Sequence, residues 1–84
     1  MSKWEKLLNK ITNMSKDVRF VEIKKILESY GYTANNPSGG SSHWTFRKHG
    51  KPPITIPKDN SIKLTYVKMV KDIIESEEEN NWIN

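Results

Sequence analysis

Apolar side chains recur along this chain at two different periods, and each change of period marks an element. Over Ser2–Thr12, Trp4, Leu7, Leu8 and Ile11 follow the i, i+3, i+4, i+7 spacing of one helical face. Ser2 and Glu5 fit a capping box at its start. Such a short helix is marginal alone, so it must dock on something. Asn13-Met14-Ser15 reads as a joint. A second helix is predicted to begin between Asp17 and Phe20 and to end at Tyr30. Phe20, Ile23, Ile26, Leu27 and Tyr30 line one side of it, and Lys24, Lys25 and Glu28 point mostly outward. Gly31 is a natural stop in the left-handed conformation.

The period then drops to two. Tyr32 and Thr33 could start a short first strand, and Asn35-Asn36-Pro37-Ser38-Gly39-Gly40 reads as a loop. Strands follow at about Ser42–Lys48 and Pro53–Ile56, joined by a turn at Lys48-His49-Gly50-Lys51. Alternation puts Trp44, Phe46, Ile54 and Ile56 on one face of this hairpin. His43, Thr45, Arg47 and Thr55 fall on the other. Pro52 and Pro53 cannot donate to a ladder and mark where the third strand starts. Lys58–Ser61 is a loop. A last helix is predicted over Lys63–Glu77, with Tyr66, Val67, Val70, Ile73 and Ile74 facing the sheet. Glu78–Asn84 reads as a frayed tail.

The order is helix, helix, strand, strand, strand, helix. Consecutive antiparallel strands with helices on one face make an α+β two-layer sandwich, and they leave the His43 face of the sheet uncovered. The 84 residues make one domain: an extra N-terminal helix over 1–14, a core over 15–77 and an acidic tail over 78–84.

Composition narrows the chemistry. No cysteine is present, so disulfides and thiolate catalysis are excluded. No apolar run approaches the ~18 residues of a membrane span, and the N-terminus lacks a signal peptide's apolar core, so the cytoplasm is the expected location. The net charge of +4 is unevenly spread. Residues 1–14 carry +2, residues 15–71 carry +7 and residues 72–84 carry −5. A basic body suggests a polyanion as partner, although a lysine-rich surface also serves solubility alone. The acidic tail could restrain the basic face in cis, or be no more than a solvated helix end.

The glycine-serine loop lacks the spacing and lysine of a phosphate-binding loop and opens no helix. His43 and His49 lie six residues apart with no nearby carboxylate cluster, so no metal is expected. Ser42 and His43 are strand neighbours pointing apart, a poor nucleophile–base pair. His43 on a basic, polar sheet face suits another task. RNA carries its own nucleophile, the 2′-hydroxyl; a neutral imidazole could take that proton while Arg or Lys stabilises the phosphate. No metal or cofactor is needed. His43 could equally be an ordinary polar strand residue, His49 a solvated turn tip, and Trp44 a core residue rather than a base-stacking platform.

The run Gly39-Gly40-Ser41-Ser42-His43-Trp44-Thr45-Phe46, then Ile54-Thr55-Ile56-Pro57 and a closing amphipathic helix, resembles the HicA family of bacterial toxins. Ile26-Leu27-Glu28-Ser29-Tyr30-Gly31-Tyr32 is similar to the end of that family's first helix. The resemblance covers about residues 18–75. It implies an α-β-β-β-α fold like a double-stranded-RNA-binding domain and ribosome-independent cleavage of mRNA, with the histidine of a Gly-Ser-His motif as the catalytic residue. It also implies neutralisation by a HicB antitoxin that covers the active site. Ser42 and His43 take the Ser-His positions, and Ser41 stands where the motif has glycine. Some relatives place a second histidine shortly after the strand-three proline; Lys58-Asp59 follow Pro57 here. The expected site is thus His43 as general base, with Ser42, Arg47, Lys48, Lys51 and Lys58 contacting RNA. The alternative is a non-catalytic RNA-binding module of the same fold.

Overall fold

The structure, a computed structural model, describes residues 3–36 and 42–83. Three helices and three strands follow in the order α1 (Lys3–Thr12), α2 (Phe20–Ser29), β1 (Thr33–Asn35), β2 (His43–Arg47), β3 (Ile54–Pro57) and α3 (Leu64–Ile83). The strands form one antiparallel sheet in the order β1-β2-β3, so the α+β class and its element order are as the sequence pattern predicts. Ser2, the expected cap of α1, and residues 37–41 of the glycine-serine loop lie outside the described residues.

Register carries the alternation across the sheet. Trp44 pairs with Ile56, and Phe46 pairs with Ile54 on one side and Ala34 on the other. That row is the core face: Phe46, Ile54 and Ile56 are buried, and Trp44 and Ala34 pack against them. Ile23, Ile26 and Leu27 of α2 and Val67, Val70 and Ile74 of α3 complete the same cluster. Phe20 joins helix to sheet, its ring 5.6 Å from Trp44 and 6.0 Å from Phe46, tilted at 54° and 47°. Offset, tilted rings at this spacing are the favoured aromatic geometry.

Both short helices end in the same device. In α2, the Gly31 N–H donates to the Glu28 carbonyl (3.1 Å) and the Tyr32 N–H to Leu27 (3.0 Å), with Gly31 at φ +97°. In α1, the Met14 N–H donates to Ile11 (3.0 Å) and the Ser15 N–H to Lys10 (3.1 Å), with Met14 at φ +56°. These paired bonds satisfy carbonyls that a helix end leaves open. Only the first was marked by a glycine. Met14 adopts the less favoured conformation while its side chain packs against the core.

Three features differ from the periodic reading. Val18 and Ile62 are core residues that lie in loops. The Ile62 N–H donates to the Val18 carbonyl at 2.9 Å, and the Ser61 hydroxyl donates to the Lys16 carbonyl at 3.0 Å. These bonds pin the α1–α2 connection to the β3–α3 connection. Asn35, expected in the loop, belongs to β1 and pairs with Thr45. And α3 does not stop at Glu77; it runs on to Ile83. Two tertiary contacts anchor its acidic turns: Lys48 Nζ lies 2.7 Å from Glu77 Oε1, and the Tyr30 hydroxyl donates to Glu78 Oε1 at 3.1 Å. Among the described residues, no helix is long and apolar enough to cross a membrane.

Candidate nucleic-acid interface

The second face of the sheet is polar because period two leaves it so. Thr33 and Asn35 of β1, His43, Thr45 and Arg47 of β2, and Thr55 and Pro57 of β3 share it. Thr33, Asn35, His43, Arg47 and Thr55 are exposed, and Thr45 is half-buried. Thr45 and Thr55 stand opposite each other, with hydroxyl oxygens 3.3 Å apart.

His43 opens β2, directly across from Pro57. The Lys58 N–H donates to the Ser42 carbonyl at 2.6 Å. Ser42–Lys58 is therefore a hydrogen-bonded step of the ladder, and His43–Pro57 is a non-hydrogen-bonded pair, the kind whose Cα atoms approach to about 4.5 Å. At such a position the backbone nitrogen of β3 points out from the sheet edge, so the missing N–H of Pro57 costs no ladder bond. The proline ring can thus lie beside the imidazole without weakening the strand that holds it.

The expected RNA-contacting residues divide into two groups. Ser42 and Lys58 form the next row beyond His43–Pro57 at the open end of the hairpin; both are exposed, and period two turns their side chains off the His43 face. Arg47 lies on the His43 face, four residues along β2, which at the rise of a strand is about 13 Å from His43. The two side chains therefore stand at separate points along the face. Lys48 and Lys51 are not brought to this face. Lys48 turns toward α3, where its ammonium pairs with Glu77 and sits 5.7 Å from the centroid of the Tyr32 ring. Lys51 closes the turn, its N–H donating to the Lys48 carbonyl at 3.0 Å, and lines a groove with Tyr32, Pro52, Met69 and Ile73 on the helical side. Gly50, at φ +82°, holds the third position of that turn, where a positive φ favours glycine. His49 is exposed beside it.

The electrostatics of the Lys48 side follow from its burial. Burial pushes the Tyr30 hydroxyl up to about 12, helped by its bond to Glu78 and by the charges of Glu78 and Glu77. Burial also pushes the Tyr32 hydroxyl up, with Lys48 opposing and Glu77 adding to the shift. The acidic turns of α3 thus act on the phenols and on Lys48. Among the described residues, no three of His, Cys, Asp and Glu converge as a metal site.

Arg47 and Lys48 are neighbours next to the turn, and period two already sets them on opposite sides of the strand; what the sequence does not announce is that Glu77 of α3 takes up Lys48. No family model, curated protein or solved structure matches this chain.

Proposed function

We propose that this chain is a cytoplasmic endoribonuclease of the HicA type, cleaving mRNA as the toxin of a toxin–antitoxin pair and neutralised by a HicB-like protein. The observation that carries the reading is the place of His43: exposed, at the loop end of β2, on the polar sheet face, with Ser42 and Lys58 in the adjoining row of the ladder. That is where the Ser-His motif of the resemblance falls in an α-β-β-β-α order.

In this reading a neutral imidazole nitrogen of His43 takes the 2′-hydroxyl proton. The 2′-oxygen attacks the adjacent phosphorus, the bond to the 5′-oxygen breaks, and that oxygen leaves with a proton from solvent. The products are a 2′,3′-cyclic phosphate and a 5′-hydroxyl end. Lys58, in the row next to His43–Pro57, is the nearest cation along the ladder, and its long side chain would have to wrap the open end of the hairpin to offset charge on the phosphate in flight. Arg47 and the Thr45–Thr55 pair hold backbone further along the sheet.

The test compares cleavage of an mRNA by the intact chain and by His43→Ala at matched folded yield. The substitution is expected to lower the rate by roughly 10²–10⁴-fold with RNA affinity retained. A substrate with a 2′-deoxy residue at the cleaved position should resist. Products with 5′-phosphate ends would reject the mechanism. RNA binding without cleavage by either protein would favour a non-catalytic RNA-binding module.

A further inference from the structure

A groove of about 350 Å³ runs between α1 and the start of α2, in the helical layer and away from the His43 face. Two large apolar side chains that stay exposed meet in it: Trp4 at 39% and Val21 at 56%. Leu7, half-buried, lines the same groove. The groove is also cationic. Lys10 is neutralised by Glu22, whose carboxylate receives it at 2.9 and 3.2 Å and also takes the Arg19 N–H at 2.8 Å. Lys3, Lys6 and Lys25 remain, and among the described residues no carboxylate pairs with them.

We infer that this groove is a docking site for an acidic peptide segment of a protein partner, one that seats an apolar side chain between Trp4 and Val21 and sets carboxylates against Lys3, Lys6 and Lys25. Charge complementarity selects the class, and the exposed apolar pair selects within it. RNA could stack a base on Trp4 and use the lysines, but Leu7 and Val21 offer a base neither a ring to stack on nor a hydrogen bond, so they favour an aliphatic or aromatic side chain of a peptide. A bilayer surface meets convex features first, whereas this apolar area is recessed between two helices. In the acidic turns of a second copy, Asp72, Glu77 and Glu78 are already held by Lys68, Lys48 and Tyr30 of their own chain, which among the described residues leaves Glu75 to face three lysines. The inference stands apart from the cleavage proposed above, because the groove is lined by α1 and α2 alone and by none of the strands that carry the polar face.

The probe is a random-peptide library displayed on phage and panned on the folded full chain, with Val21→Glu as the counter-target. Val21 is exposed near the start of α2, where an acidic residue suits the helix, and circular dichroism checks that the variant stays folded. The expected yield is peptides of net negative charge carrying a large apolar residue. Made synthetically, they should bind at least about tenfold more weakly to Val21→Glu and to Lys6→Glu/Lys25→Glu. Lys63→Glu, outside the groove, should leave their binding unchanged. A selection with no Val21-dependent peptide, or with such peptides lacking acidic residues, overturns the inference. So does a loss of RNA affinity in Lys6→Glu/Lys25→Glu, Val21-dependent binding to anionic vesicles, or Val21-dependent self-association in sedimentation.

Discussion

Gly31 shows what one backbone position can demand. Its φ of +97° closes α2 and turns the chain into Tyr32, which is buried against the core. A Cβ built there would lie 3.5 Å from the Lys48 side chain, an ordinary contact, so space is not the constraint. Conformation is, and Gly31→Ala is expected to cost about 1–2 kcal/mol in urea unfolding. Tyr30, one residue earlier, carries a prediction in pH. Its folded ionisation near 12 lies above the ordinary value of 10, so the folded chain favours the neutral phenol. That contribution is complete below about pH 10 and is lost as pH rises through 12. Titration of tyrosinate absorbance should therefore show a late step that Tyr30→Phe removes. Both effects were half legible: glycine announced the stop, but nothing near Tyr30 in sequence announces Glu78.

At the scale of elements, what the sequence revealed depended on how local each constraint is. The strands and the three helices were readable because period and burial agree within a few residues. The length of α3 was not, because contacts far away in sequence decide it. Five acidic residues over 72–79 look like an end that frays. They stay helical where Glu77 meets Lys48 and Glu78 meets Tyr30. The Lys48–Glu77 pair is largely shielded, with 26% and 16% of the side chains exposed. Glu77→Gln is expected to lower stability by about 1–2 kcal/mol, between the values for surface and buried pairs. A double-mutant cycle with Lys48→Gln should show coupling of at least about 0.5 kcal/mol. Additive losses would mean that the pair does not hold α3. The candidate site was legible in the same local way. Alternation alone set His43, Arg47 and Thr55 on one face, while the loss of Lys48 to α3 needed the whole fold.

For the molecule as a whole, charge is sorted by layer. Arg47 stands on the polar sheet face with Lys58 just past the end of β3, Lys48 is absorbed by α3, and Lys3, Lys6 and Lys25 gather between the first two helices. On the proposed reading, Arg47→Ala and Lys58→Ala should each reduce the dependence of RNA affinity on log salt by about one, with Lys48→Ala leaving it unchanged. Equal effects from all of them would mean that RNA does not distinguish the faces. One more consequence concerns time rather than place. The two connections pinned by Ile62 and Val18, and by Ser61 and Lys16 across 45 residues of chain, lie in no helix or strand that could form early by itself. Closing so long a loop repays its entropy only after the hairpin and helices have gathered. The pin should thus be a late event that acts as a latch: Val18→Ala is expected to speed unfolding while leaving the folding rate nearly unchanged. The lifetime of the folded chain, more than the speed of reaching it, would then be set by two residues in its connecting loops.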